Sequence, residues 1–132
     1  MHHLPVLVSR CLCGVPCRYH GRTEVMGHSL LQDHSRVRRL RAQGVPVIPI
    51  CPEVDGGLTT PRPPTRVVDG RAISGGRDVT PVFERGARLA VLAAQQHGCE
   101  RAYLLRGSPA CDRDAGFAGR ALVAAGVRVT RV

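Results

Sequence analysis

The chain is poor in aromatic and acidic side chains. It has no tryptophan, two phenylalanines and two tyrosines among 132 residues, so its core must be built from aliphatic side chains. Ten acidic residues stand against 19 basic ones, which leaves a formal charge of +9. A surface of this charge attracts anions, but neither a DNA-reading helix nor interleaved aromatic residues accompany it. Nucleic acid is therefore an allowed partner that we do not favour.

Long apolar runs and an export signal are also missing from the sequence. The apolar run at residues 4–8 is far too short for a membrane span or a signal peptide. We therefore expect a cytoplasmic protein with no membrane association. In a reducing compartment, six cysteines do not indicate a disulfide framework, and ligation of a metal or a cluster is the better interpretation.

Four short apolar runs, rich in β-branched residues, alternate with helical patterns. Continuous apolar runs are typical of strands covered on both faces, and their alternation with helices predicts an α/β fold. We expect one domain over residues 1–132, with a mainly parallel open sheet, helices flanking it, and a ligand site at the C-terminal ends of the strands. The predicted strands are residues 6–8, 45–50, 102–105 and 127–132, and the predicted helices are residues 29–43, 81–97 and 117–125.

Local signals refine this pattern. Leu30 and Leu31 are expected in the core, on the first helix. Thr80 is the predicted N-cap of the second helix, with Pro81 at the first helical position. The segment 55–78 is rich in glycine and proline, so we expect a functional loop with a short hairpin at residues 66–74.

Three cysteines follow predicted strands: Cys11, Cys51 and Cys111. The C-terminal ends of parallel strands share one edge of a sheet, so these thiols are expected to converge there. Thiolates are the ligands that iron–sulfur clusters prefer, although buried, inert cysteines are an equally frequent explanation. Cys13 and Cys17 share the loop of Cys11 and compete with it as ligands, whereas Cys99 is expected at the opposite edge with a structural role.

Five motifs resemble the DUF523 family, in family order and across nearly the whole chain. They are Ser-Arg-Cys-Leu-Cys-Gly-Val-Pro-Cys-Arg-Tyr-His-Gly at 9–21, Pro-Ile-Cys-Pro-Glu-Val-Asp-Gly-Gly-Leu at 49–58, Thr-Pro-Arg-Pro-Pro at 60–64, Asp-Val-Thr at 78–80, and Ser-Pro-Ala-Cys at 108–111. The characterised branch of that family is the thiouracil desulfidase group. Those enzymes hold a [4Fe-4S] cluster with three cysteines and release sulfide from thiolated uracils without net redox change.

The resemblance implies roles for individual residues. Cys11, Cys51 and Cys111 correspond to the cluster ligands, and Glu53 and Ser108 to polar catalytic residues beside the cluster. Cys17 belongs to the family's first motif and is a second candidate for ligation or sulfur chemistry. The chain departs from the family at Cys13, where leucine is usual, and after Cys111, where Asp replaces Gly and the following segment is shorter. That shortening affects the expected substrate more than cluster binding.

Arg18 and Arg62 are expected to face the same crevice and to bind a phosphate or a uracil carbonyl, because guanidinium offers paired donors. Each of these residues also has a structural alternative. Both arginines could serve only solubility at the surface, and Glu53 could be a solvated carboxylate paired with Arg62. The hydroxyl of Ser108 could simply cap its loop.

The sequence thus predicts a [4Fe-4S]-dependent, non-redox desulfidase acting on a thiolated pyrimidine or a related small molecule. One alternative is a non-enzymatic metal- or cluster-binding module with a basic surface that faces nucleic acid. Another is a sulfur transferase that works through a persulfide.

Overall fold

The structure, a computed structural model, describes residues 3–132, and Met1 and His2 lie outside this description. Strands and helices alternate along the chain. In order they are β1 (Val6–Ser9), a 3-10 turn (Arg10–Leu12), β2 (Glu24–Val25), β3 (His28–Ser29), α1 (Ser35–Ala42), β4 (Val47–Ile50), α2 (Pro52–Asp55), β5 (Thr65–Val68), β6 (Arg71–Ser74), β7 (Arg77–Asp78), α3 (Thr80–His97), β8 (Arg101–Leu104), α4 (Phe117–Ala124) and β9 (Arg128–Arg131).

The four predicted strands form one parallel sheet in the order β4-β1-β8-β9. Strand β1 is buried on both faces. Leu7 packs with α3 and α4 on one side, while Val6 and Val8 pack with α1 on the other. Burial on both faces explains why these strands are continuously apolar, and the predicted α/β fold with a parallel sheet flanked by helices is confirmed.

Helix α1 begins at Ser35, six residues later than predicted. The preceding residues form the short antiparallel pair β2–β3, and the N–H of Leu30 donates to the carbonyl of Thr23 at 2.6 Å. The side chain of His34 then caps α1 by accepting from the N–H of Arg36. Leu31, expected in the core, is 56% exposed, so that prediction was wrong because the hairpin takes up the start of the predicted helix.

Helix α3 begins one residue earlier than expected, so Thr80 is its first residue and not its N-cap. Asp78 supplies the cap, because its Oδ1 accepts from the N–H of Thr80 at 2.9 Å. The hydroxyl of Thr80 is buried and accepts from the N–H of Ala72 at 2.8 Å. The helix ends as predicted before Gly98, which has the left-handed conformation common at this position.

The predicted hairpin in the long loop is confirmed, and β7 extends it to three antiparallel strands. It leaves residues 56–64 as the irregular part of the loop. Within residues 3–132, no helix combines the length and apolar character needed to cross a membrane.

Two helical glycines allow close approach to the loops that follow the strands. A Cβ added at Gly86 of α3 would lie 2.7 Å from the carbonyl carbon of Pro52, and closer still to its oxygen. A Cβ added at Gly119 of α4 would lie 2.6 Å from the carbonyl oxygen of Cys111. The backbone of α3 therefore packs directly against that of Pro52, and the backbone of α4 packs directly against that of Cys111.

Candidate active site

A cavity of about 160 Å³ opens where the loops after β1, β4 and β8 meet. These strands are neighbours in the sheet, and β1 lies between β4 and β8. The chain passes from β1 to β4 on one side and later adds β8 on the other side. This reversal of strand order is where α/β sheets open a crevice.

Four thiols line the cavity: those of Cys11, Cys17, Cys51 and Cys111. The convergence expected from strand order is therefore present, with Cys17 added to it. The Cys17 thiol lies near enough to the thiols of Cys11 and Cys51 for both to shift its pKa. The Cys51 thiol also donates to the carbonyl of Cys17 at 3.8 Å.

Neighbouring thiols and burial raise the pKa of three of these groups, those of Cys17, Cys51 and Cys111, which favours their protonated forms. The neighbouring thiol of Cys11, together with burial, raises the pKa of Cys17 to about 11. The neighbouring thiol of Cys17, followed by burial, raises the pKa of Cys51 far above its ordinary range. Burial raises the pKa of Cys111 to about 12. Ligation by these residues would therefore release protons.

The other two cysteines lie elsewhere. Cys13 packs below the first loop, where its thiol donates to the carbonyl of Ser9 at 4.0 Å. Its backbone forms a bridge with Asp33. Cys99 is buried beside the start of β8, at the opposite edge of the sheet from the cavity. Both positions leave the cavity to the other four thiols.

Glu53 and Arg62 face the cavity as a pair. The Nε of Arg62 lies 3.2 Å from Oε1 of Glu53, and their side chains are 4% and 13% exposed. Glu53 is therefore paired as the structural alternative expected, but it is not a solvated carboxylate. The remaining N–H groups of Arg62 donate to the Thr59 carbonyl, the Thr60 hydroxyl and the Cys17 carbonyl.

Ser108 lines the cavity and also organises its own loop. Its Oγ accepts from the N–H of Ala110 at 3.2 Å and from that of Cys111 at 3.0 Å. Its hydroxyl proton remains available to donate to the thiol of Cys111, an interaction that favours the thiolate. The loop-capping hydroxyl expected as the structural alternative is therefore present, and it lies at the wall of the cavity.

Ser9 makes a similar contact that sequence reasoning missed. It is buried at the end of β1, and its Oγ accepts from the N–H of Leu105 at 2.9 Å. Its hydroxyl also lies near enough to the Cys111 thiol to lower that group's pKa, against the larger effect of burial. The only available signal in the sequence was its place in the first motif, because the partners lie almost 100 residues away.

An ion pair connects the loops that carry Cys11 and Cys51. The Nη2 of Arg10 lies 2.7 Å from Oδ1 of Asp55. The second carboxylate oxygen of Asp55 accepts from the N–H of Cys51 at 3.1 Å. The pair fixes the spacing between the ends of β1 and β4.

Asp112, directly after Cys111, is 2% exposed. Burial alone would oppose its ionisation. Hydrogen bonds from the N–H groups of Gly107, Ala115 and Asp114 and from Arg131 outweigh burial and lower the pKa of Asp112 to about 2. Asp112 is therefore a fixed negative charge at the base of this loop.

The mouth of the cavity is lined by Arg18 and Tyr19, which are both exposed. Tyr19 lies edge-on to His20, with ring centroids 5.1 Å apart. The guanidinium of Arg18 therefore stands near the entrance, whereas that of Arg62 lies deeper and is bound to protein acceptors.

The arrangement of thiols fits a cluster in its donor chemistry. Within residues 3–132, no three His, Cys, Asp or Glu side chains converge on a point where one metal ion would be held. The thiols are spread around the cavity. Iron–sulfur clusters suit this arrangement, because their irons are bound by thiolates at separate corners.

Comparison with known proteins agrees with the motifs and the fold. The sequence model of the 2-thiouracil desulfurase family matches residues 6–130. The uncharacterized protein YbbK of Bacillus subtilis (strain 168) is 28% identical over 137 aligned residues, which cover 92% of this chain and 85% of that protein. The solved structure of a [4Fe-4S]-dependent thiouracil desulfidase, TudS, matches with a TM-score of 0.80 and 32% identity, covering 97% of this chain and 90% of that one. This chain, with its motifs and its parallel sheet, belongs to the 2-thiouracil desulfurase (DUF523) family.

Proposed function

We propose that this protein is a [4Fe-4S]-dependent desulfidase that removes sulfur, as sulfide, from a thiolated pyrimidine or a related small molecule without net redox change. The observation that carries the proposal is the meeting of four thiols, Glu53 and Ser108 in one cavity. The membership of the 2-thiouracil desulfurase family and the similarity to TudS support it.

Cys11, Cys51 and Cys111 are the proposed ligands, one from each of the loops after β1, β4 and β8. Three protein ligands leave one iron of a [4Fe-4S] cluster open, and such an iron supplies Lewis acidity toward the sulfur of a thiocarbonyl. Cys17 lines the same cavity as these thiols and is the residue that could replace one of them.

Glu53 is the proposed proton carrier for the attacking water or for the pyrimidine ring. Its ion pair with Arg62 aims the carboxylate at the cavity and restricts its rotation. Because four of the five N–H groups of Arg62 are bound to protein acceptors, we assign its influence on the substrate to the positioning of Glu53. Arg18, at the mouth, is the proposed direct contact for a carbonyl or phosphate of the substrate.

Ser108 is proposed to orient the substrate or the water. Two backbone N–H groups hold its oxygen in place, so the direction of its hydroxyl proton is the freedom that remains. A fixed donor of this kind stabilises developing charge without the cost of reorganisation.

The six cysteines form no disulfide. Unpaired thiols favour a reducing compartment, and we place the reaction in the cytoplasm on that basis. Nucleic acid stays an allowed partner that we do not favour, and the exposed arginines of α1 are the surface to which it would bind.

The position of Cys17 in a cavity lined by three further thiols also supports a second candidate, a sulfur transferase that works through a persulfide. A persulfide on Cys17 would lie beside thiols able to accept its outer sulfur. The two candidates differ in their requirement for iron, because a transferase of this type works without it.

The test is anaerobic reconstitution with iron and sulfide, followed by assay of sulfide release from 2- and 4-thiouracil. We expect a brown protein with about four irons per chain and steady sulfide release. Cys51→Ser should lose both properties, while the matched change Cys99→Ser, far from the cavity, should retain both. Iron-free protein that releases no sulfide from thiouracil, but gains one sulfur atom on Cys17 from thiosulfate while sulfite leaves, would favour the transferase instead.

A further inference from the structure

Asp112 is the centre of the loop that joins β8 to α4. Its Oδ1 accepts from the N–H of Gly107 at 3.0 Å and from the Nε of Arg131 at 2.8 Å. Its Oδ2 accepts from the N–H groups of Asp114 at 3.2 Å and Ala115 at 3.1 Å. Both oxygens are thus fully used inside the protein.

The backbone of Asp112 is bound as well. Its N–H donates to the carbonyl of Ser108 at 3.0 Å, and its carbonyl accepts from the N–H of Gly116 at 2.8 Å. The chain from 107 to 116 therefore wraps around this one residue. Ser108 and Cys111 lie on that chain, and both face the cavity.

Arg131 connects the loop to the sheet. It lies on β9, the strand at the edge beyond β8, and its Nη1 also lies 3.4 Å from Oδ2 of Asp114. Asp112 thereby binds the backbone of its own loop and also attaches that loop to β9, a strand that contributes no cysteine to the cavity.

We infer that Asp112 is a positioning residue, which holds Ser108 and Cys111 in place through its hydrogen bonds to the loop and to Arg131. The inference rests on the proposed function for what Ser108 and Cys111 do. The buried carboxylate orders the segment 107–116 through these hydrogen bonds.

The first test measures alkylation of individual cysteines by iodoacetamide in the cluster-free protein, read by peptide mass spectrometry. In Asp112→Ala, Cys111 should react about tenfold faster relative to Cys51 than in the wild type, because buried N–H groups without acceptors favour local opening of the loop. Asp112→Asn retains one acceptor oxygen and should give an intermediate increase. It also keeps the test usable if the alanine variant does not fold.

Asp78→Ala is the matched control, since Asp78 also accepts a backbone N–H and pairs with an arginine, away from the cavity. It should leave the ratio of Cys111 to Cys51 alkylation unchanged. An equal rise at all cavity thiols in the Asp112 variants, or no rise at Cys111, would overturn the inference.

The second test is the visible circular dichroism of reconstituted protein, which reports the surroundings of the cluster. We expect it to change in Asp112→Asn and to stay the same in Asp78→Ala. If Cys111 opens selectively but the wild type releases no sulfide from thiouracils, the positioning role stands and the proposed function fails. If the wild type is active and the Asp112 variants match it in both alkylation and dichroism, the positioning role fails.

Discussion

Replacing Gly86 with alanine should displace two residues of the cavity, although Gly86 itself does not line the cavity. Gly86 lies in α3, where its Cα rests against the backbone of Pro52, between Cys51 and Glu53. The added Cβ would lie 2.7 Å from the carbonyl carbon of Pro52, whereas ordinary contact begins at about 3.4 Å. Helix α3 and the Cys-Pro-Glu segment would have to separate by at least about 0.7 Å.

The expected magnitude comes from two opposing effects. Alanine is favoured over glycine inside a helix by about 1 kcal/mol. Overpacking costs about 1–3 kcal/mol, and the upper end applies because the obstacle is backbone. The free energy of unfolding should therefore fall by about 1–2 kcal/mol, which lowers Tm by about 4–8 °C. Sulfide release should fall further, by about tenfold to a hundredfold, because a displacement approaching 1 Å misplaces Cys51 and Glu53.

Urea unfolding of cluster-free protein measures the change in the free energy of unfolding. Sulfide release per iron measures the change in activity. Gln96→Ala, at an exposed position of the same helix, is the control and should change stability by less than about 0.5 kcal/mol. A Gly86→Ala protein that is more stable than the wild type and fully active would refute the reasoning, because it would show that α3 does not fix the segment.

Three further predictions concern single side chains. Glu53→Gln should keep its iron and lose about 10²- to 10⁴-fold in sulfide release, and wild-type release would exclude a proton-transfer role. Arg62→Lys should lose activity and expose Cys17 to iodoacetamide, because lysine cannot serve four acceptors, whereas the exposed Arg66→Lys should change neither measurement. Hydrogen bonds from Thr80 and Arg71 lower the pKa of Asp78 from 3.8 to about 2, so this carboxylate stabilises the fold above about pH 4 and loses that effect as pH falls toward 2. Asp78→Asn should be less stable than the wild type at pH 7, with the difference shrinking near pH 2 in urea unfolding; a constant difference would contradict this.

The sequence was sufficient for the sheet because burial on both faces marks a strand locally. Val6, Leu7 and Val8 are apolar without alternation, and the structure buries all three completely. The start of α1 could not be found in the same way. Leu30 and Leu31 fit a helical pattern, but the pairing of β2 with β3 overrides it, and strand pairing depends on partners that a local pattern does not contain.

Some features of the candidate site could be predicted from the sequence, and others depend on partners that a local pattern does not contain. Strand order predicted that thiols after β1, β4 and β8 would meet, since that follows from topology alone. The positions of Cys17 and Ser9 in the cavity wall depend on the paths of loops and on side-chain directions. The burial of the Glu53–Arg62 pair depends on the same features, so no pattern in the sequence contained it.

The contacts of the two helical glycines set the positions of two cavity thiols independently of the side chains at the entrance. Pro52 rests on Gly86, and the carbonyl of Cys111 rests near Gly119, so main-chain atoms set the positions of Cys51 and Cys111. Side chains at the cavity mouth, such as those of Arg18 and Tyr19, take no part in these contacts. Substitutions at the entrance can therefore change which molecule enters the cavity of this protein, while the backbone contacts that set the spacing of its thiols stay the same.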